Sequence, residues 1–408
     1  MRSRFIAAVA LVLCSATLMS ETIYTKRKSN ALREGAGSYY GLVGSVPENT
    51  ALTVIDRSGS WVKVQLPNRQ VGWIAANSLM VEKSESLAAR SQESMWSSPR
   101  ALSAAIKGFG KQYVHGEPGI VDSVMLYSEK TFTAEDLAVF TKELRETPSR
   151  NRDRVQVDDL DLPAPEYNAG LSEQQLGVGI AARISGKGMA HDRRLHRYVN
   201  MICAAIAERS ALYDVDFTIL VLNDSAINAY AVPGGYVMLT LGLVKQCRDE
   251  SELAGVIAHE IAHVYRRHGL QEVSKRLPGI RADVAFQELE EEVGEPTEEE
   301  RELDTLANQA YEKIVHPRLL SYELEADRIG AIFAANAGYD PFGLVRISER
   351  VARVSTETPD RYDPDYMKPD DAGKRAKEIR AFAEQSFVTE SPGEQMSGRF
   401  KAATSSLR

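Results

Sequence analysis

The sequence predicts an α+β protein in two parts, a small all-β barrel followed by a mostly helical core that carries a small sheet. Three observations carry this expectation. Short β-rich runs recur about ten residues apart within residues 22–83. Asp249–Gly269 reads as one amphipathic helix with a defined start and stop. The uncharged run from Ser225 to Val244 holds Pro233-Gly234-Gly235 at its centre and a β-like second half, Tyr236–Leu241. That run has the length of a membrane span, but the central turn residues favour a buried strand-turn-strand.

Taken from the N-terminus, Met1–Arg4 is basic, Phe5–Leu13 is a short apolar core, and small and polar residues follow to about Ser20. This is the pattern of an export signal over residues 1–20, too short for a permanent span. Cys14 raises the alternative of a lipidated cysteine, the one route to membrane contact in this reading, although Leu13 before it is a poor match. The mature chain is then an exported protein of the cell envelope or periplasm, or a lipoprotein if Cys14 is modified. Of 408 residues 43% are hydrophobic and the net charge is −8, which suits a globular protein and argues against nucleic acid or anionic lipid as the main partner. Beyond Cys14 the chain has only Cys203 and Cys247, in no metal-ligand spacing, and whether they pair is left open by the sequence.

Within residues 22–83 the runs are Leu52–Ile55, Trp61–Leu66 and Val71–Ile74, joined by turns at Arg57–Gly59 and Pro67-Asn68. Residues 84–165 read as a linker with one helical segment. Ser84–Arg100 is Ser-rich, Thr133–Glu146 places Leu137, Phe140 and Leu144 on one helix face, and Pro163–Pro165 marks a boundary. Helices at Ser172–Ile184 and Asp192–Arg209 open a domain over residues 166–388, and residues 389–408 read as a loose polar tail.

The chemistry is concentrated at His259-Glu-Ile-Ala-His263. Histidines four apart share one helix face, so both imidazoles can reach a single Zn²⁺. Glu260 lies about 100° round the helix from His259, near enough to act on a water at the metal without binding the metal itself. Asp249 as N-cap with Glu252 three residues on is a capping-box pattern, and Leu253, Val256, Ile257, Ile261 and Val264 supply the apolar stripe. Arg266, Arg267 and His268 before Gly269 read as the helix stop. On a regular helix His268 lies about 180° from His259 and cannot complete the same site. The longer pattern with a third histidine also fails, because it needs glycine at Arg266 and histidine at Gly269.

A third ligand must come from elsewhere, since a hydrolytic zinc usually takes three protein ligands. Tyr322–Gly330 suggests a second helix on which Glu323 and Asp327 share a face while Glu325 points away. One carboxylate can bind the metal and the other can accept the remaining N–H of a ligand histidine. Asp283 and Glu288 are the rivals for third ligand.

Three blocks in order resemble the M48 family of zinc metallopeptidases: Asn228–Tyr236, Glu252–His268, and Glu323-x-Glu-Ala-Asp327. The resemblance spans roughly residues 170–350 and implies a zincin-type (gluzincin) core with one zinc per chain. It carries the third-ligand role onto Glu323, the supporting carboxylate onto Asp327 and the general base onto Glu260. It also makes the strand after the Pro-Gly-Gly turn the lip of the cleft, with Asn228, Gly235 and Tyr236 as candidates for holding an extended polypeptide substrate. The chain departs from the family pattern where a His-Pro pair often precedes an Arg-rich helix: here Lys368-Pro369 precedes Lys374-Arg375, and no histidine follows His316. The residue 22–83 module resembles bacterial SH3-like domains through Ala31–Gly37, Ser60–Leu66 and Gly72–Ile74, which implies an envelope protein or peptidoglycan as its ligand. Trp61 and Trp73 fit either a ligand platform or the core of the small barrel.

The reading is thus a zinc-dependent endopeptidase of the bacterial envelope that acts on misfolded or envelope proteins. The alternatives are an assembly factor that binds clients and cleaves little, or a wall-binding protein whose zinc is structural. The long acidic stretch Glu288–Glu302 between the two metal helices is a candidate plug.

Overall fold

The computed structural model describes residues 21–81 without 28, 124–160 without 125, 129 and 130, 171–269 without 187, 311, 314, 319–358, and 368–407 without 391 and 392. The export segment with Cys14, the Ser84–Arg100 linker, Pro163–Pro165, Asp283, His316 and Glu288–Glu302 lie outside the described residues.

The N-terminal module is an antiparallel sheet of β1 (Thr22–Thr25), β2 (Ser29–Arg33), β3 (Leu42–Pro47), β4 (Ala51–Ser58), β5 (Trp61–Gln65), β6 (Val71–Ala75) and β7 (Leu79–Met80), in the order β3-β2-β6-β5-β4-β1-β7. Its inward side chains, among them Leu32, Val46, Leu52, Val62, Val64 and Ile74, pack into a separate small core. Period-two alternation in β5 sends Val62 and Val64 inward and leaves Lys63 on the outer face, 5.9 Å from the Trp73 ring. Trp61 is buried and meets Tyr213 of the second part edge-on at 6.0 Å, so the two tryptophans divide between packing and surface. Arg27 pairs with Asp214, the Asn77 backbone N–H donates to the Tyr213 hydroxyl at 3.0 Å, and the tilted rings of Tyr39 and Phe132 lie 6.2 Å apart. The barrel is therefore docked on the helical part.

In the second part α1 (Ala134–Glu146) begins at a capping box made by Thr133 and Asp136. Next come α2 (Leu171–Ser185) and α3 (Arg193–Ala207), the latter capped by Asp192. A three-stranded sheet follows, of β8 (Thr218–Leu222), β9 (Ala229–Val232) and β10 (Tyr236–Thr240), in the order β8-β10-β9. Residues 225–244 are thus strand, turn, strand and the start of a helix, and among the described residues no helix is long and apolar enough to cross a membrane. Gly234 and Gly235 take φ of 75° and 90° in the turn, and a Cβ on Gly235 would sit 2.9 Å from the Asp216 carbonyl oxygen.

One expectation is overturned here. Tyr236 begins β10, which is the middle strand, parallel to β8 on one side and antiparallel to β9 on the other. Its backbone groups are already spent on both neighbours, so an extended peptide cannot add alongside it. Among the described residues β8 and β9 are the outer strands of this sheet. Asn228 directly precedes β9 and is buried: its backbone N–H donates to the Thr240 hydroxyl and its Nδ2 to the Tyr230 hydroxyl.

The remaining helices are α4 (Leu241–Gln246), α5 (Glu250–Arg266), α6 (Leu320–Ala337), α7 (Phe342–Glu357), α8 (Pro369–Ser386) and α9 (Ser397–Ala403). α5 is buried over nearly its whole length and packs against α6, α7 and α3. The segment expected to be a loose tail is instead docked over residues 393–407. Phe400 and Met396 enter the main core, and Arg399 reaches the buried Glu250, which also accepts from the hydroxyls of Tyr198 and Tyr339. Cys203 and Cys247 are both buried thiols and form no disulfide.

Candidate metal centre

α5 starts where the sequence expects. Asp249 caps it by accepting from the Glu252 backbone N–H at 3.0 Å. The reciprocal half of the box shifts by one residue: the Glu252 carboxylate accepts from the Arg248 backbone N–H at 2.8 Å and pairs with Arg350. The stop differs as well. Arg267, not Gly269, takes the left-handed conformation (φ 55°) and caps the helix, so the chain turns back one residue before His268.

That reversal places His268 against the site. Its Nδ1 is 2.9 Å from Nδ1 of His263, its ring stacks on Tyr322 at 4.4 Å, and its Nε2 is 3.8 Å from Glu325. The sequence alone projects His268 along a continuing helix, away from His259, and so misses this contact with His263.

The candidate ligand atoms converge from two helices. His259 and His263 on α5 bring their Nε2 atoms to 3.0 Å of each other. Glu323 on α6 sets Oε2 3.3 Å from Nε2 of His259 and Oε1 3.2 Å from Nε2 of His263. These donors all lie within 4.8 Å of one another, and all three residues are buried. Two nitrogens bound to one tetrahedral zinc are expected about 3.3 Å apart, so two imidazoles and a carboxylate at these spacings fit a single divalent ion. Glu260 is fully buried, with Oε1 4.0 Å from Nε2 of His259. Asp327, one turn along α6 from Glu323, sits 2.9 Å from Nδ1 of His259. It can hold the Nδ1–H tautomer and leave Nε2 open for a metal.

One residue here was not anticipated. Arg375 on α8 donates to both oxygens of Asp327 at 2.7 Å and reaches Glu323 Oε2 at 3.1 Å and His259 Nε2 at 3.2 Å. The signal was present in the spacing. Ala372, Ala376, Ile379 and Ala383 are the buried stripe of α8, and Arg375 lies within it. A cation on the apolar face of a helix needs a buried anion. Burial alone would raise the Glu323 and Asp327 carboxyls, but Arg375 with His263 for the first, and Arg375 with His259 for the second, hold both below the usual carboxylate range.

A His-Glu-x-x-His helix completed by a carboxylate from a second helix defines a metallopeptidase-type domain. Residues 190–384 match Peptidase family M48, and residues 29–80 match the Bacterial SH3 domain family; the chain thus carries an M48 peptidase domain behind an SH3 domain. It is 34% identical over 208 residues to the "Putative beta-barrel assembly-enhancing protease" of Vibrio cholerae, covering 48% of this chain and 42% of that one. It is 28% identical over 228 residues to the "Beta-barrel assembly-enhancing protease" of Escherichia coli K12, covering 52% and 46%. It is 27% identical over 181 residues to the "Mitochondrial metalloendopeptidase OMA1" of Arabidopsis thaliana, covering 44% and 34%. The chain thus spans less than half the length of each of these relatives.

Proposed function

We propose that this protein is a zinc-dependent endopeptidase of the bacterial envelope, acting on misfolded or envelope proteins. The observation that carries the reading is the buried convergence of His259, His263 and Glu323 with Glu260 beside them. His259, His263 and Glu323 would hold the zinc, which would lower the pKa of a nearby water and polarise the scissile carbonyl. Glu260 takes the proton from the attacking water and delivers it to the leaving amine. Asp327 orients His259 through Nδ1, and Arg375 offsets the negative charge gathered at Asp327 and Glu323. The apolar layers of α5, α6 and α7 exclude bulk water and so strengthen these electrostatic interactions.

We assign residues 1–20 to export, residues 22–83 to an SH3-like domain and residues 166–388 to the protease, on the sequence patterns above. The envelope setting draws on the export-like N-terminus and on two relatives named for β-barrel assembly. Those names also favour a second reading, in which client binding assists assembly and cleavage removes failures.

The test is metal content and casein cleavage measured together on residues 21–408 and on Glu260→Gln. One zinc in both, with cleavage in the wild type alone, is the expected result. Full cleavage by Glu260→Gln would remove Glu260 as the base, and unchanged zinc in Glu323→Ala would remove Glu323 as a ligand. Rescue of a deletion strain by Glu260→Gln would favour the assembly role over proteolysis.

A further inference from the structure

The contacts of the barrel with the second part gather on one stretch of chain, the run of turns over residues 208–217 that joins α3 to β8. Its side chains divide between two directions. Leu212, Val215 and Phe217 enter the main hydrophobic core. Tyr213, Asp214 and Asp216 meet the barrel instead. Trp61 touches the Tyr213 ring edge-on, Arg27 pairs with Asp214, and Arg33 lies 3.9 Å from Asp216. Asn77 donates its backbone N–H to the Tyr213 hydroxyl at 3.0 Å and its Nδ2 to Asp214 at 3.3 Å. We infer that the barrel face built by Arg27, Arg33, Trp61 and Asn77 is a recognition site for polypeptide segments that carry a tyrosine beside aspartates, and that the chain's own Tyr213, Asp214 and Asp216 occupy it as a tethered ligand. The inference does not depend on the endopeptidase reading.

Three properties set this contact apart from the packing of two cores. The barrel has a closed core of its own, and what crosses to residues 213–216 is charge, amide, hydroxyl and two aromatic rings. Contacts of that kind within one chain resemble transient interfaces, which can open and exchange. The signs are also sorted. Among the described ion pairs that cross the contact, the barrel supplies the arginines and the connection supplies the aspartates. A guanidinium on a carboxylate beside an aromatic ring is the combination that most often dominates polypeptide recognition. Finally, the barrel residues come from separate places, Arg27 between β1 and β2, Arg33 on β2, Trp61 on β5 and Asn77 just after β6, yet they converge on neighbouring residues of one segment. The inward anchors Leu212, Val215 and Phe217 hold that segment as a fixed set of outward side chains. A tethered ligand competes at an effective concentration in the millimolar range. An outside segment of the same chemistry therefore gains the face only by binding more tightly or in linked copies.

The experiment uses the chain over residues 21–408 and a fluorescein-labelled peptide with the sequence of residues 210–217, with binding read by anisotropy at low salt. Tyr213→Ala combined with Asp214→Ala removes the tethered ligand and leaves the barrel face whole. This opened variant is expected to bind the peptide at least ~10-fold more tightly than the wild type, in which the tethered segment competes. Asp214→Ala alone carries the test if the double variant fails to fold. A peptide with alanine for the tyrosine and asparagine for both aspartates is expected to bind the opened variant ~10-fold more weakly. Adding Arg27→Glu to the opened variant should lower affinity for the original peptide at least ~5-fold, and a peptide with lysine in place of its first aspartate should recover it. No gain over the wild type in the variants that fold, equal binding of the altered peptide, or affinity indifferent to Arg27→Glu overturns the recognition site. Binding of purified peptidoglycan by the opened variant, with no binding of the peptide, assigns the face to the cell wall and overturns it as well.

Discussion

Gly330 of α6 lies against His259 of α5 so closely that a Cβ on it would sit 2.8 Å from both the Cα and the N of His259. Glu323, Asp327 and Gly330 fall on one face of α6, so the residue that permits the close crossing shares that face with the two carboxylates of the site. The helix separation there sets the distance from Glu323 to the two histidines. Gly330→Ala forces the helices apart, with an overpacking cost of about 1–3 kcal/mol. The expected outcome is a lower Tm together with at least ~10-fold weaker zinc binding, measured by competition with a chromophoric chelator. A variant that loses stability but binds zinc as the wild type does would show that the crossing does not set the metal geometry.

Arg375 makes a second prediction. Its removal leaves Asp327 and Glu323 buried with less compensating charge, and breaking such a network typically costs about 3–5 kcal/mol. A divalent ion supplies charge at the same place, so it should recover part of that loss. Arg375→Met is therefore expected to melt well below the wild type without metal and to gain more Tm on adding zinc than the wild type gains. An equal zinc shift in both proteins would mean that Arg375 and the metal site are energetically separate.

What could be read from the sequence was what is local. Asp249, the apolar stripe and the i,i+4 histidines specify α5 within a single helix, and the alternation of Val62 and Val64 specifies β5 within a single strand. The pairing of Glu323 with Asp327 was visible as a helix face, but its partner helix came from resemblance. Misreadings arose where distant segments decide. β10 looked like a cleft lip because its parallel pairing with β8 joins residues 218–222 to 236–240 across an intervening strand. His268 was projected along an ideal helix that in fact ends at Arg267. The polar C-terminus gave no local sign that Arg399 finds Glu250, some 150 residues away.

His196 provides a pH prediction away from the metal-facing residues. It is buried, its Nδ1 lies 3.0 Å from the Asp192 carbonyl oxygen, and its Nε2 accepts from the Val221 backbone N–H at 3.0 Å. Acceptance at Nε2 requires the neutral ring, and burial pushes the His196 pKa below its usual value of 6.5, against the pull of Asp192. A depressed folded pKa means the contribution is complete above 6.5 and is lost as pH falls through the folded value. NMR titration should find His196 still neutral at pH 6.5, with weakening of the α3–β8 contact only below it. A His196 pKa above 6.5 would contradict this account.

The docking of the barrel can be tested at Asp214. It pairs with Arg27 and accepts from Asn77 Nδ2 at 3.3 Å, beside the Trp61–Tyr213 contact. The Asp214 side chain is only 10% exposed, so the pair should exceed the ~1 kcal/mol of a fully exposed one. Asp214→Ala combined with Tyr213→Ala is expected to raise amide exchange at Asn77 and across residues 210–216 while the strands of the barrel keep their protection. Loss of protection throughout the barrel would mean that the module depends on the helical part for its own stability.

The contact between His263 and His268 carries the last prediction. A metal at Nε2 of His263 requires that its Nδ1 bear the proton, and the nearest acceptor is Nδ1 of His268 at 2.9 Å. His268 must then carry its own proton on Nε2, the atom that faces Glu325. With a metal on His263, the groups of Glu325, His268 and His263 would line up with one sense of donation, parallel to the Asp327–His259 pair. Partners of this kind typically change metal affinity by about 10–100-fold when removed. His268→Phe keeps the stack on Tyr322 but deletes the acceptor, so it should weaken zinc binding within that range and leave the fold intact by circular dichroism. Glu325→Gln should act in the same direction but less, because Gln can still accept from Nε2 of His268. If His268→Phe binds zinc as tightly as the wild type, the contact serves only to close the end of α5, where Arg267 already reverses the chain.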